Sequence, residues 1–281
     1  MGRIGRSFQL VALSYRILMK DKELMVLPLI SGTITLLVAV SFAFSLGLSP
    51  SRVEEGGVGV YLPLFVMYVI GYTVGIFFQA AVVAGATDRM RGGDPTIGSA
   101  LAAAYRRLGA IVAWGIAAAT VGTIIRAIHD RAGFLGKIVT IVAGAAWSLA
   151  TFFIVPVLVL EDRSIRESFN RSVNVFRQTW GESLAGGTTL GAAGICAWLT
   201  LFAVSGLVAW ITGSPAALGV LFVGAVVLMV FFSALQGIYV ATLYRYATEG
   251  VVPVGFDSAL LHEAFKHRKD GHVTLDLYKR Q

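Results

Sequence analysis

Residues 183–244 read SLAGGTTLGAAGICAWLTLFAVSGLVAWITGSPAALGVLFVGAVVLMVFFSALQGIYVATLY, without one Asp, Glu, Lys or Arg. That is too long for a single membrane crossing, which needs about 20 apolar residues. Gly213-Ser214-Pro215 lies inside the run, and glycine with proline punctuates a helix, so the run divides into two spans. Working outward, residues 24–51, 56–87, 108–125 and 138–160 are equally free of charge. The reading is six spans, near residues 24–48, 59–87, 108–128, 134–160, 183–211 and 215–247. These runs are continuously apolar and do not alternate, which selects helices over a barrel. An all-α polytopic membrane protein follows, and 56% hydrophobic residues, 14% charged residues and a mean hydropathy of +0.76 exclude a soluble globular domain.

Lys and Arg beside the spans are retained on the cytoplasmic side. Nineteen of the 23 fall on the side of the N-terminus, and only Arg52, Arg126, Arg131 and Lys137 fall opposite. Both termini are therefore expected in the cytoplasm of a bacterial inner membrane. The same asymmetry accounts for the net charge of +7, so nucleic acid is not an expected partner. Met1 to Lys22 is basic and amphipathic and lacks the short apolar core of a signal peptide, so it is expected to stay on the protein. The lone cysteine, Cys196, falls within the fifth span and rules out an intramolecular disulfide.

A motif recurs at the basic side. Ser7-Phe8 precedes Tyr15-Arg16, and Ser168-Phe169 precedes Phe176-Arg177 at the same spacing; Ser99-Ala100-Leu101 with Tyr105-Arg106, and Ser258-Ala259-Leu260 with Phe265-Lys266, are looser copies. In the first copy Phe8, Val11, Tyr15 and Leu18 share one helical face, as do Ile165, Phe169, Val173 and Phe176 in the third. These segments read as amphipathic interfacial helices on the cytoplasmic side, their apolar residues facing acyl chains or the bundle and their arginines reaching phosphates. They read equally as elbows that return the chain to the bilayer. Residues 1–247 thus form a six-span domain, an interfacial helix plus two spans repeated three times. Residues 248–281 form a C-terminal helix and tail, whose alternating end from His272 to Tyr278 reads as a strand for a partner's sheet or as a disordered end.

No span carries an ionisable residue near its centre, where ion-coupled transporters need one. The hydroxyls inside the spans are expected to bond across helices. Gln79 and Gln236, each set among aromatic residues, are candidates to line a groove between the repeats. Gly71 with Gly75 and Gly187 with Gly191 have the spacing of close helix packing. Asp88-Arg89 and Glu161-Asp162-Arg163 read as adjacent charges marking helix ends, worth little as ion pairs, or as a gate. The chain has no P-loop, GxSxG, HExxH or paired-cysteine motif, and His262, His267 and His272 lie in the polar tail. No catalytic residue, metal or cofactor is expected.

The opening Met1-Gly2-Arg3-Ile4-Gly5-Arg6-Ser7, with Lys20-Asp21-Lys22-Glu23-Leu24 and Leu27-Pro28-Leu29, resembles an uncharacterised bacterial membrane family, the domain of unknown function 6159. More distantly the chain looks like the membrane domain of some glycerophosphodiester phosphodiesterases, without their catalytic domain. The resemblance implies a membrane-embedded, non-catalytic protein and assigns no functional residue.

The function expected is an accessory subunit docking on a larger cell-envelope assembly, such as a lipid transporter. Arg outnumbers Lys seventeen to six and Ala, Gly and Val fill the spans, usage that suits a high-GC bacterium such as an actinobacterium. On that lineage alone an Mce-type lipid importer is the expected host. Membrane lipids and other integral subunits are the expected partners. Phe8, Tyr15, Arg16, Tyr105, Arg106, Phe176 and Arg177 would be the interfacial contacts. The alternative is a self-sufficient carrier of lipids or small hydrophobic molecules.

Overall fold

The computed structural model describes residues 3–45, 58–131, 133–213 and 216–249. The C-terminal helix and strand expected after Glu249, the fourth copy of the motif and the histidines of the tail lie outside these residues. The described chain forms α1 (Arg3–Lys20), a short 3-10 helix (Lys22–Met25), α2 (Val26–Ser45), α3 (Val58–Met90), α4 (Ile97–Tyr105), α5 (Leu108–Arg131), α6 (Phe134–Ala150), α7 (Ile154–Leu160), α8 (Ile165–Thr212) and α9 (Ala216–Glu249). Six segments are long and apolar enough to cross a membrane: Lys22–Phe44, Leu62–Met90, Leu108–His129, Leu135–Leu160, Ser183–Thr212 and Ala217–Glu249. The protein is an all-α, multi-pass membrane protein. Gly213 separates the last two spans by adopting φ +57°, the left-handed conformation that closes α8.

The short α4 and the long α8 both start on capped N-termini at the basic side. Thr96 and Ser99 form a reciprocal capping box at α4, and Ser164 with Glu167 does the same at α8. The third motif copy is continuous with the fifth span, because α8 runs through both and only bends at Thr179, φ −120°. Thr179 Oγ1 donates back to the carbonyl of Val175 at 2.9 Å, a bond that bends helices.

The fourth span is not one helix. It breaks between Ala150 and Ile154, because Pro156 has no N–H to donate and its ring clashes with the carbonyl four residues earlier. Ser172 on α8, fully buried, repairs the break. Its Oγ accepts from Phe153 N at 3.1 Å and donates to Ala150 O at 2.7 Å. A broken helix is tolerated in a bilayer only where such freed backbone groups find partners.

Packing differs between the two halves of the bundle. At the end that gathers most of the basic residues, called here the basic end, Leu18, Leu24, Leu27, Val82, Val83, Phe153, Val157, Ile238, Tyr239 and Leu243 are all fully buried. In the far half large apolar side chains face outward; Phe44 and Trp210 are each 83% exposed. Water drives neither arrangement inside a bilayer, so the tight half depends on van der Waals contact and small residues. A Cβ on Gly85 would stand 2.7 Å from Leu24 Cδ2, and one on Gly237 would stand 2.8 Å from Val82 Cγ1. At Gly71, Gly75, Gly187 and Gly191, the glycines expected to pack helices, a built Cβ would meet nothing within 4 Å, so among the described residues no other helix packs closely against those positions.

The hydroxyls also depart from expectation. Thr120, Thr123, Thr151, Thr189, Thr200 and Ser148 donate to the carbonyl four residues back on their own helix instead of across to another. A threonine in a helix reaches that carbonyl without any partner helix.

Candidate functional site

Two apolar grooves flank α2 where it lies on α3. One, about 590 Å³, is floored by Gly71, Gly75 and Ile76 of α3 and walled by Val38 and Ala39 of α2, with Val155 of α7 at its side. The other, about 680 Å³, lies between α2, α3 and α9 and includes Leu29, Gly32, Phe222, Met229 and Ser233. Both volumes fall in the range of ligand pockets. Gly75 and Gln79 line both, so the grooves meet beneath α2.

Of the two glutamines named as groove candidates, Gln79 lines both grooves and Gln236 neither. Gln236 is half-buried on α9 and lines neither groove, though the next residue, Gly237, approaches Gln79: its Cβ would be 2.8 Å from Gln79 Nε2. At the far end of the smaller groove Tyr68 and Tyr72 stack at 6.3 Å. Arg126 Nη1, from α5, donates to the Tyr68 hydroxyl at 3.0 Å. Sequence reasoning counted Arg126 only as a topology marker. A cation at the edge of an apolar span was the signal that could have found this contact.

The motif residues separate by environment. Phe8, Tyr15, Arg16, Tyr105, Arg106 and Arg177 are exposed. Phe176 is half-buried, packed at 5.9 Å on Phe152, and Phe169 stacks on Trp114 and Trp147, so the third copy turns its aromatic residues to the bundle. The face shared by Phe8 and Tyr15 is not the packed one on α1. Leu10, Leu13, Ser14, Ile17 and Leu18 are buried instead, against α8 and α9.

Several charges at the basic end pair across elements, while Glu161 with Arg163 and Arg245 with Glu249 pair within a few residues of chain. Arg89 bonds Asp21 and Asp94, and not Asp88. Arg107 bonds Asp162, and Glu249 joins Arg245 to Arg91. Glu161 accepts from Arg163, from Arg171 at 3.1 Å and from the buried Tyr244 hydroxyl. Burial pushes the Glu161 carboxyl up, but those hydrogen bonds outweigh it and hold it below the ordinary carboxylate range. Burial pulls the Arg171 guanidinium down, and Glu161 more than restores it. These contacts tie α3, α5, α7, α8 and α9 together at one end. Among the described residues no group of three or more His, Cys, Asp or Glu could hold a metal.

The model of a family of unknown function, DUF6159, matches residues 58–254, more than half of the chain. The chain belongs to that family. No curated protein matches it, so the likeness to glycerophosphodiester phosphodiesterases finds no support.

Proposed function

We propose that this DUF6159 member is a non-catalytic, lipid-handling subunit of a larger transport assembly in the cell envelope. The observation that carries the reading is the pair of apolar grooves meeting at Gly75 and Gln79, opposite a basic end tied by cross-helix ion pairs. One half is built to hold shape, and the other offers space for hydrocarbon. The open faces at Gly187 and Gly191 support a partner helix, because small residues let helices approach closely. The excess of Lys and Arg on one side supports a bacterial inner-membrane location with both termini in the cytoplasm. An Mce-type lipid importer is the host complex to test first, on the composition of the chain alone.

Extraction of the protein from its own membrane in mild detergent, with mass spectrometry of accompanying proteins and lipids, tests the proposal. Stoichiometric transporter subunits support it, and a chain that leaves the membrane alone at every expression level counts against it. The second reading, a self-sufficient carrier, is favoured by the meeting of both grooves within one chain. It predicts lipid exchange between liposomes by the purified protein without companions.

A further inference from the structure

We infer that the larger groove holds one acyl chain of a glycerolipid from the leaflet at the basic end, the ester carbonyl of that chain accepting a hydrogen bond from the Gln79 amide. The inference rests on the lipid-handling reading and adds to it the site, the leaflet and the group recognised.

The amide comes first. Gln79 lines both grooves from an apolar span, and no hydrogen bond joins its side chain to any described residue. Its Nε2 reaches across to α9 where Gly237 leaves room, since a Cβ there would stand 2.8 Å away. Polar groups in a bilayer need partners, because an unpaired one is costly where water is scarce. Ser31 of α2 and Ser233 of α9 line the same groove and add hydroxyls from two further helices.

Depth identifies the partner. Where α2 leaves the basic end and α3 returns to it, Gly85 stands against Leu24: a Cβ on that glycine would be 2.7 Å from Leu24 Cδ2. Gln79 comes six residues before Gly85, so it is level with about Ile30, six residues after Leu24. Val26 and Leu29 are the first large apolar side chains of α2 to be exposed, so contact with lipid begins there. The amide therefore sits within about one helical turn of the edge of the hydrocarbon, where glycerol esters lie. From that level the groove runs inward. On α9 it extends from Ser233 to Phe222, eleven residues or roughly 16 Å at about 1.5 Å per residue, close to half of a hydrocarbon core about 30 Å thick. It is one leaflet deep.

The lining then selects a hydrocarbon chain. Leu29, Leu36, Phe222 and Met229 line the groove and are exposed, so the lipid-facing surface continues into it without a barrier. None of its lining residues is charged, so the headgroup is left at the interface and is not chosen by its charge. What the site can tell apart is the linkage. An ester carbonyl accepts from an amide N–H, whereas an ether oxygen is a poorer acceptor and leaves Gln79 unpaired.

The test uses the full-length protein reconstituted in vesicles of equal diester and diether phosphatidylcholine of matched chain length, extracted in mild detergent and weighed by native mass spectrometry. The wild type retains one diester lipid over the diether by about fivefold, the worth of one neutral hydrogen bond. Gln79→Met keeps a lipid and loses the preference, whereas Gln236→Met, outside both grooves, leaves the preference intact. Gly32→Leu fills the groove and loses the lipid, whereas Gly144→Leu, an open position outside both grooves, keeps it. Met matches Gln in helix propensity and Leu exceeds Gly, so these losses are not losses of fold. Equal retention of diester and diether by the wild type, as when water satisfies the amide, overturns the inference. So does an unchanged preference in Gln79→Met or full retention of lipid in Gly32→Leu. A chain that binds companions but no lipid refutes the groove alone; one that binds lipid but no companions refutes the subunit reading alone.

Discussion

Asp21, in the turn that joins α1 to the first span, receives both Nε and Nη2 of Arg89 from the last turn of α3. Asp21 is 6% exposed, while Asp94, the other carboxylate on Arg89, is 90% exposed. One arginine thus holds a buried and a solvated partner, which separates two regimes of ion pairing in a single molecule. Asp21→Ala is expected to cost about 2 kcal/mol or more, since breaking a buried pair costs roughly 3–5 and Arg89 retains some exposure. Asp94→Ala is expected to cost about 0–1 kcal/mol. Thermal unfolding in one detergent compares them, and equal losses would contradict the buried anchor.

Ser172 holds the broken fourth span. Ser172→Ala leaves the Phe153 N–H and the Ala150 carbonyl without partners and is expected to cost roughly 1–3 kcal/mol. Hydrogen exchange at residues 150–156 reads this directly: faster exchange at Phe153 alone supports the repair, and no change there contradicts it.

Adjacent glycines on α8 are predicted to behave differently. A Cβ on Gly186 would overlap the ring and hydroxyl of the fully buried Tyr239, whereas one on Gly187 meets nothing within 4 Å. Gly186→Ala is expected to destabilise by about 1–3 kcal/mol through overpacking. Gly187→Ala is expected to be neutral or to stabilise by up to about 1 kcal/mol through helix propensity. Unfolding midpoints that rank the two the other way would refute the packing.

The cluster at Glu161 gives stability a pH dependence. Its folded pKa lies below the ordinary 4.5, so its stabilisation is complete above that value and is lost as pH falls through the lower folded value. Tyr244→Phe removes one of the hydrogen bonds that lowers it, and the onset of acid destabilisation should move to higher pH. Unfolding midpoints across acid pH measure the onset, and curves that superimpose for wild type and variant would contradict the assignment.

The spans were legible because solvation by lipid imposes a local rule, roughly 20 uncharged residues in sequence, and the break at Gly213 is equally local. Capping at Ser164 and Thr96 follows from three-residue spacing. Pro156 could have revealed the broken fourth span, but its apolar surroundings carried the reading through it. The pairings could not be read, since Asp21 and Arg89 are 68 positions apart and the neighbouring Asp88 offered a nearer match. On α1, the stripe of Phe8, Val11, Tyr15 and Leu18 attracted attention, whereas helix contact buries Leu10, Leu13, Ser14 and Ile17 and, of that stripe, only Leu18 fully. Gln79 was legible as an amide among aromatic residues. Its groove was not, because the groove depends on how α2 crosses α3 and on glycines that no described helix covers.

The most direct measurement is native extraction of the full-length chain in mild detergent, with quantitative mass spectrometry of the proteins and lipids that leave the membrane with it. Stoichiometric transport subunits together with bound lipid are predicted. A chain that emerges free of both companions and lipid would contradict the account.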